Sequence, residues 1–439
     1  MTKKTAAQTL VDCLVLNGTD RVYGVPGESY LSVLDALYGR DDIHYLNCRQ
    51  EGGAAMAAEA YGKLTGRPGI CMVTRGPGAT NASAGVHVAF QDSTPMILLI
   101  GQVGRDMLER EAFQEIDYRR MFGQLAKWVA QIDDPARIPE FINRAYAVAT
   151  SGRQGPVVLS LPEDMLRASL EPLQLPPAAK TVVPAPSAQD VSALAAALAK
   201  SQKPLLLIGG GGWSDATSDL VTAFVEVNQV PVAVSFRCQD YLDNEHPHYI
   251  GHVGIGIDPN LARRVKECDL LLVLGPRLGE MTTSGYTLLS PPQTSMPLIH
   301  IHADVEELGR VYHPALAINA GATPAAAALA GLGSVPRKAD RDWLKAARAD
   351  FDTFRQGQPS PGPVQLRDIV TYLRAILADD AIITNGAGNY AIWLHRFFAY
   401  RQYRTQLAPT CGSMGYGLPA AVAAAELYPD RQVICFAGD

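Results

Sequence analysis

Short apolar segments alternate with longer helical patterns all along this chain of 439 residues. Strands that alternate with helices in this way imply parallel, doubly wound sheets. The alternation breaks in a Pro- and Ala-rich segment at 171–189 and again at 356–363. We therefore predict an α/β fold of three consecutive doubly wound parallel-sheet domains, the third incomplete, at residues 1–170, 190–335 and 363–439.

The predicted strands are short apolar runs bounded by glycine, proline or polar residues. They are 22–25, 45–47, 70–74, 96–100, 157–161, 205–208, 230–234, 270–274, 298–301, 382–384 and 433–436. The last run is followed only by Gly438 and Asp439. Too few residues remain there for a complete doubly wound domain. We expect the sequence to cover part of a longer protein.

Composition excludes several classes of partner. The 38 basic and 44 acidic side chains give a formal net charge of -6, and no basic block occurs, so no nucleic-acid or anionic-membrane partner is expected. A run of about 18 apolar residues, as a membrane span requires, is absent from the sequence. The seven cysteines form no C-x-x-C pair, which predicts a cytoplasmic protein without a disulfide framework or zinc knuckle.

Glu51 is the carboxylate in the most unusual setting. It precedes seven small or apolar residues, 52–58, and the next charge is Glu59. Such neighbours would desolvate a carboxylate and would let a flat cofactor ring come close. The alternative is a glutamate placed at a helix N-terminus to interact with the helix dipole. On this segment alone, the helix-dipole role is favoured.

Glycine-rich loops offer further candidate ligand sites. Segment 74–81 follows a strand and precedes a helical pattern, where backbone N–H groups can meet an anion, although on this segment alone a tight crossover turn is favoured. Segment 410–419 has regularly spaced glycines before an Ala-rich helix and allows close backbone approach to a ligand. The glycines 209–212 follow a strand but lack a clean G-x-G-x-x-G spacing. They leave open a non-catalytic nucleotide-binding protein or an NAD-dependent oxidoreductase. Asp439 ends a strand, where its carboxylate would suit Mg²⁺ beside a phosphate.

Six motifs taken together resemble one family over the whole length of the chain. They are 22–27, 49–54, 76–81, 112–115, 412–419 and 438–439. Their order resembles that of the thiamine diphosphate-dependent 2-oxo acid enzymes, nearest to the acetolactate synthase type. The resemblance implies thiamine diphosphate and Mg²⁺ as cofactors.

The resemblance also assigns site residues. Glu51 matches the glutamate that hydrogen-bonds the aminopyrimidine ring, while Phe113 and Gln114 match a pair lining the substrate end; these three are the implied catalytic residues. Asp439 matches the first magnesium ligand. The implied cofactor-binding residues are Pro26, Gly27, Gly388, Asn389, Tyr390, Gly412, Ser413, Met414 and Gly438.

The implied activity is decarboxylation of a pyruvate-like 2-oxo acid, with carboligation of the resulting carbanion to a second carbonyl compound. The alternatives within the family are a non-ligating decarboxylase and a flavin-linked oxidase. The family also implies a homodimer or homotetramer with its active site between subunits. The resemblance leaves FAD open as a cofactor. Of the stretch that acetolactate synthases associate with flavin, this sequence retains only Arg277.

Overall fold

The computed structural model describes residues 3–171 and 174–438, in which three separate parallel sheets follow one another along the chain. The first sheet has the strand order β3-β2-β4-β5-β7-β6, and its central strands are buried along their whole length. Its elements are β1 (Lys4–Thr5), α1 (Ala6–Leu16), β2 (Arg21–Gly24), α2 (Leu31–Leu37), β3 (His44–Asn47), α3 (Glu51–Thr65), β4 (Gly69–Val73), α4 (Pro77–Asp92), β5 (Met96–Gln102), α5 (Tyr118–Phe122), β6 (Trp128–Gln131), α6 (Ile138–Thr150), β7 (Pro156–Pro162), α7 (Glu163–Arg167) and β8 (Ser169–Leu170). Strands β1 and β8 form a small antiparallel ribbon.

The second sheet has the order β11-β10-β9-β12-β13-β14 and is also parallel throughout. The described part of the first predicted linker, 174–187, contains no helix or strand before α8 begins. The elements are α8 (Ala188–Lys200), β9 (Pro204–Ile208), α9 (Asp215–Asn228), β10 (Val232–Val234), β11 (Tyr249–His252), α10 (Pro259–Glu267), β12 (Leu270–Leu274), β13 (Leu298–His302), β14 (Leu316–Asn319), α11 (Ala322–Gly331) and α12 (Arg341–Gln356).

The third sheet has three described strands in the order β16-β15-β17, again parallel. Its elements are α13 (Leu366–Ile376), β15 (Ile382–Asn385), α14 (Tyr390–Phe397), β16 (Gln406–Leu407), α15 (Gly417–Leu427) and β17 (Val433–Phe436). Short 3₁₀ turns complete the regular structure at Glu28–Tyr30, Arg105–Met107, Pro135–Arg137 and Gln239–Tyr241. The three parallel sheets confirm the predicted α/β fold class.

By contact, the chain groups into two compact units: residues 1–182 with 415–428, and residues 183–414 with 429–439. Within the first unit, α15 packs against α3. The domain boundaries predicted near 170, 190, 335 and 363 stay predictions. Across the described ranges, every helix is too short or too polar to cross a lipid bilayer.

Candidate functional site

In the first unit, the chain after β2 packs against the turn that follows β4. A Cβ on Gly27 would lie 2.4 Å from the Cβ of Thr74, so only glycine allows this approach. The hydroxyls of Ser29 and Thr74 are hydrogen-bonded at 2.8 Å. Pro26 is exposed beside them. Because carboxyl ends of parallel strands meet at one edge of a sheet, this edge is where a ligand site is expected.

Glu51 is the first residue of α3 and is half-buried, so the desolvation expected from its small neighbours is only partial in this chain. The side chain of Gln50 caps the helix by accepting the N–H of Gly53 at 2.9 Å. Asn81 donates its Nδ2 to Glu51 Oε2 at 3.0 Å. A Cβ on Gly78 would lie 3.5 Å from Glu51 Oε1, so the carboxylate faces the glycine turn at 76–78.

The same turn also touches Gln114. Gly76 has φ +59, and a Cβ there would lie 2.7 Å from the Cβ of Gln114. The N–H of Gly76 donates to the hydroxyl of Tyr118 at 2.9 Å. Arg75 donates its Nε to the carbonyl of Phe113 at 3.2 Å, while the Phe113 ring is 76% exposed. The structure thus brings Gly27, Glu51, Phe113 and Gln114 next to the segment 74–78, while their roles in a site stay predictions.

The loop that carries Phe113 and Gln114 is held by Glu115. Its carboxylate accepts the N–H of Glu109 at 2.6 Å and the N–H of Ala112 at 3.0 Å. Three side-chain-bearing residues of this loop, Glu109, Glu111 and Gln114, have positive φ, a conformation that needs such support. The backbone N–H groups of Glu109 and Ala112 lower the pKa of Glu115.

This lowered pKa predicts that the loop loosens in acid. The hydrogen bonds to Glu115 stabilise the loop above the ordinary glutamate pKa of about 4.3, and that stabilisation is lost as pH falls through the lowered pKa. Hydrogen exchange of amides 109–116, corrected for intrinsic rates, should therefore show weaker protection below about pH 4 than at pH 7. In a Glu115→Gln variant the weaker protection should already be present at pH 7. Equal protection at both pH values in the parent protein would contradict this role.

In the second unit, the loops after β15 and β17 meet around the ring of Tyr390. The two strands pair so that Asn385 lies opposite Phe436, and each strand ends there. A Cβ on Gly388 would lie 2.8 Å from Tyr390 Cε1, and one on Gly438 would lie 3.3 Å from it. Gly388 and Asn389 are exposed at the start of α14. The predicted diphosphate contacts and Gly438 are therefore close together.

Asp439, the predicted magnesium ligand, lies outside the described residues. Across the described ranges, His, Cys, Asp and Glu side chains form no cluster of three that could hold a metal ion. The magnesium ligand therefore stays a prediction.

The loop before α15 exposes the other predicted cofactor contacts. Gly412 has φ +71 and donates its N–H to the carbonyl of Pro409 at 3.0 Å. Ser413 Oγ donates to the carbonyl of Met414 at 3.4 Å. The Met414 side chain is 78% exposed, so it is accessible to a ligand.

Of the glycines at 209–212, Gly209 and Gly210 serve the packing of the second sheet. A Cβ on Gly210 would lie 2.1 Å from the carbonyl oxygen of Gly275, so the two strand ends cross closely there. Trp213 Nε1 donates to the carbonyl of Gly209 at 2.8 Å, and the Gly209 N–H donates to Leu274 at 3.2 Å. Both backbone groups of Gly209 are therefore paired within the second unit, and a nucleotide or flavin at this turn stays a prediction.

A buried charged cluster in the first unit escaped sequence analysis. Glu59 is fully buried on α3, and the hydroxyl of Tyr416 donates to its Oε2 at 2.6 Å. Thr94 Oγ1 donates to Glu59 Oε1 at 2.7 Å, and Lys63 Nζ lies 3.1 Å from that oxygen. Lys63 also pairs with Asp92. The signal for this cluster was the opposite charges of Glu59 and Lys63, one helical turn apart in an otherwise Ala-rich helix.

Comparison with known proteins finds three family models in order along the chain. They describe the thiamine pyrophosphate enzyme N-terminal TPP binding domain at residues 4–121, its central domain at 191–329 and its C-terminal TPP binding domain at 386–439. The chain is also 31% identical to the probable acetolactate synthase large subunit of Methanocaldococcus jannaschii, covering 99% of this chain and 75% of that protein. The acetolactate synthase isozyme 1 large subunit of Escherichia coli strain K12 is 31% identical, over 99% of this chain and 77% of its own length.

Proposed function

The chain belongs to the thiamine pyrophosphate enzyme family, and we propose that it is an acetolactate synthase-like carboligase. Its reaction is the decarboxylation of a 2-oxo acid followed by carboligation to a second carbonyl compound. The observation that carries this proposal is the likeness to acetolactate synthase large subunits along 99% of the chain. Pyruvate is the simplest donor consistent with it.

Thiamine diphosphate, when bound, supplies a nucleophilic carbon and an electron sink for decarboxylation. The residues present fit this cofactor. Glu51 offers a half-buried carboxylate whose Oε2 is already held by Asn81, which would let its other oxygen hold a proton of the aminopyrimidine ring. Pro26 and Gly27 would lie beside the cofactor at the same edge of the first sheet.

The diphosphate would bind at the loop after β15. Gly388, Asn389 and Tyr390 stand at the N-terminus of α14, where backbone N–H groups and the helix dipole favour an anion. Gly438 lies against Tyr390, which would bring a magnesium ion on Asp439 beside the diphosphate. Gly412, Ser413 and Met414 would contact the aminopyrimidine ring, with the exposed Met414 side chain supporting the bent cofactor.

Phe113 and Gln114 would line the substrate end. Their loop is fastened to the glycine turn through Arg75 and Gly76, so it would hold the 2-oxo acid and its acceptor close to Glu51. Arg75 is itself paired with Glu163 at 3.3 Å.

The assembly proposed is a homodimer or homotetramer in the cytoplasm. Leu418 and Val422, one turn apart on α15, are 65% and 50% exposed, which supports burial against another subunit. The seven cysteines all lie in the described ranges and form no disulfide, as a reducing compartment allows.

The full-length protein supplied with pyruvate, thiamine diphosphate and Mg²⁺ is expected to release carbon dioxide and to form acetolactate or acetoin. The products are measured by mass spectrometry, with a reaction lacking thiamine diphosphate as the control. Acetaldehyde as the sole product would indicate a decarboxylase instead of a carboligase, and acetate as the sole product would indicate an oxidase. No carbon dioxide from any short 2-oxo acid would overturn the proposal.

A further inference from the structure

Arg237 is a buried cation at the carboxyl end of β10 in the second unit. It is only 8% exposed and has φ +61, a backbone conformation that side-chain-bearing residues rarely adopt. Burying a guanidinium costs free energy unless its N–H groups find acceptors. A strained, buried arginine of this kind indicates that its placement serves a purpose.

Its guanidinium donates to two backbone carbonyls from the last third of the chain. Nη2 donates to the carbonyl of Gly386 at 3.0 Å, and Nη1 donates to the carbonyl of Pro409. Gly386 opens the loop that reaches Gly388 and Tyr390, and Pro409 opens the loop that reaches Gly412 and Met414. A single side chain that follows a strand of the second sheet therefore hydrogen-bonds to both loops that we propose bind the cofactor.

The bond to Gly386 also sets the direction of the next peptide N–H. The Gly386 carbonyl accepts a second hydrogen bond, from Asn385 Nδ2 at 2.8 Å, so its orientation is firmly held. In a trans peptide the C=O and the following N–H point in opposite directions. The N–H of Ala387 is therefore directed away from Arg237. The N–H of Gly386, by contrast, donates to the hydroxyl of Tyr390 at 3.0 Å.

The second loop is held in a comparable way. The carbonyl of Pro409 accepts both Arg237 Nη1 and the N–H of Gly412. The Gly412 hydrogen bond closes a tight turn at 409–412, and the Arg237 hydrogen bond holds the first carbonyl of that turn, after which Ser413 and Met414 follow. Losing the guanidinium would leave this carbonyl with the Gly412 hydrogen bond and would loosen the turn.

Aromatic and neutral groups keep the guanidinium in place. It lies 5.0 Å from the ring centroid of Phe236, within range of a cation–π interaction. The Phe236 ring packs edge-on against His395 at 5.5 Å. Burial, His252 and Arg237 hold the pKa of His395 well below its ordinary value, so this imidazole stays neutral beside the cation.

We propose that Arg237 is a positioning residue for cofactor binding, which orients the loops 386–390 and 409–414 by holding the carbonyls of Gly386 and Pro409. This inference rests on the proposed function, because it takes those loops to be the cofactor's binding loops. Arg237 itself acts through the backbone and needs no contact with substrate.

Calorimetric titration of the purified full-length protein with thiamine diphosphate in excess Mg²⁺ tests this role. Arg237→Met is expected to weaken binding by about tenfold to a hundredfold, since misplacing a binding loop by about 1 Å has effects of this size. Arg237→Lys keeps the charge and can reach one carbonyl, so its affinity for thiamine diphosphate should fall between those of the parent protein and Arg237→Met. Hydrogen exchange of amides 386–391 without cofactor should be faster in both variants.

Arg348→Met is the matched control. Arg348 donates its Nη1 to three backbone carbonyls of the same unit, those of Asn244, His246 and Tyr249, at 3.0, 2.7 and 3.1 Å. Its loss should lower the unfolding temperature and leave the cofactor dissociation constant within about twofold. A parent protein that binds no thiamine diphosphate would overturn the proposed function. A parent protein that binds it, together with Arg237→Met and Arg237→Lys variants of unchanged affinity and unchanged exchange at 386–391, would overturn the role of Arg237 alone.

Discussion

Replacing Glu51 with Gln is expected to slow carbon dioxide release from a 2-oxo acid by about 10²–10⁴-fold, the range typical of general acid–base groups. Glutamine keeps the shape of the side chain and can still accept the Asn81 hydrogen bond, but its amide cannot hold or transfer the proton that a carboxylate carries. The substitution should leave the N-terminus of α3 unchanged in length and position. The loss should therefore fall on the chemical step and leave the fold intact.

The measurement pairs the rate of carbon dioxide release with calorimetric binding of thiamine diphosphate. Binding should change far less than the rate, because the diphosphate loop lies elsewhere in the chain. Glu140→Gln is the control: Glu140 is an exposed carboxylate of the same unit, paired with Arg137 on the surface. Its rate should match that of the parent protein. A Glu51→Gln variant with the parent rate would show that Glu51 serves only the helix dipole.

Most of the strands predicted from the sequence are buried on both faces, although β3 and β17, which are partly buried at sheet edges, were predicted as well. An unbroken apolar run such as Leu270–Leu274 can hardly be anything else once glycine or proline bounds it. The sequence pattern missed β6, β11 and β14, which lie at sheet edges. An edge strand pairs on one side only, so its composition is less constrained; Leu316–Asn319, for example, alternates between half-buried, buried and exposed residues. Two-residue β16 gives no periodic signal at all.

Some residues of the candidate site could be predicted from the sequence and others could not, for a similar physical reason. Glycines that allow close approach, at 27, 76 and 388, appear in the sequence because nothing else fits there. Arg237 gave no comparable signal, and the spacing of Glu59 and Lys63 indicated a pair but not its distant partners, since both roles depend on residues far away in the chain. Gly386 lies 149 residues from Arg237, and Tyr416 lies 357 residues from Glu59. Only the folded chain reveals which polar groups meet.

Replacing Lys63 with Met is expected to destabilise the first unit by about 3 kcal/mol, because removing one partner of a buried ion pair leaves the other charges uncompensated. Lys63 lies between Glu59 and Asp92, whose side chains are 0% and 1% exposed. Burial opposes the charge of Lys63, but Asp92 and Glu59 raise its pKa above that of an ordinary lysine. Methionine keeps most of the apolar stem, so the loss reports charge more than packing.

The destabilisation should depend on pH. Burial raises the pKa of Glu59, while Lys63 opposes that shift. Without Lys63 the pKa of Glu59 should rise further, so the folded state takes up a proton more readily than the unfolded chain. Stability lost at pH 8 should then be partly recovered as pH falls, since a group whose folded pKa is raised stabilises the fold when protonated.

Hydrogen exchange of the α3 amides measures this local free energy without requiring the whole chain to unfold in one step. The double variant Lys63→Met with Glu59→Gln should recover part of the loss, because the carboxylate that Lys63 neutralised is then gone. Lys3→Met is the control: Lys3 pairs with Glu171 on the surface, where the two side chains are 66% and 75% exposed, and its loss should cost less than about 1 kcal/mol. If Lys63→Met costs no more than this control at pH 8, the buried cluster is not what holds α3 against Tyr416.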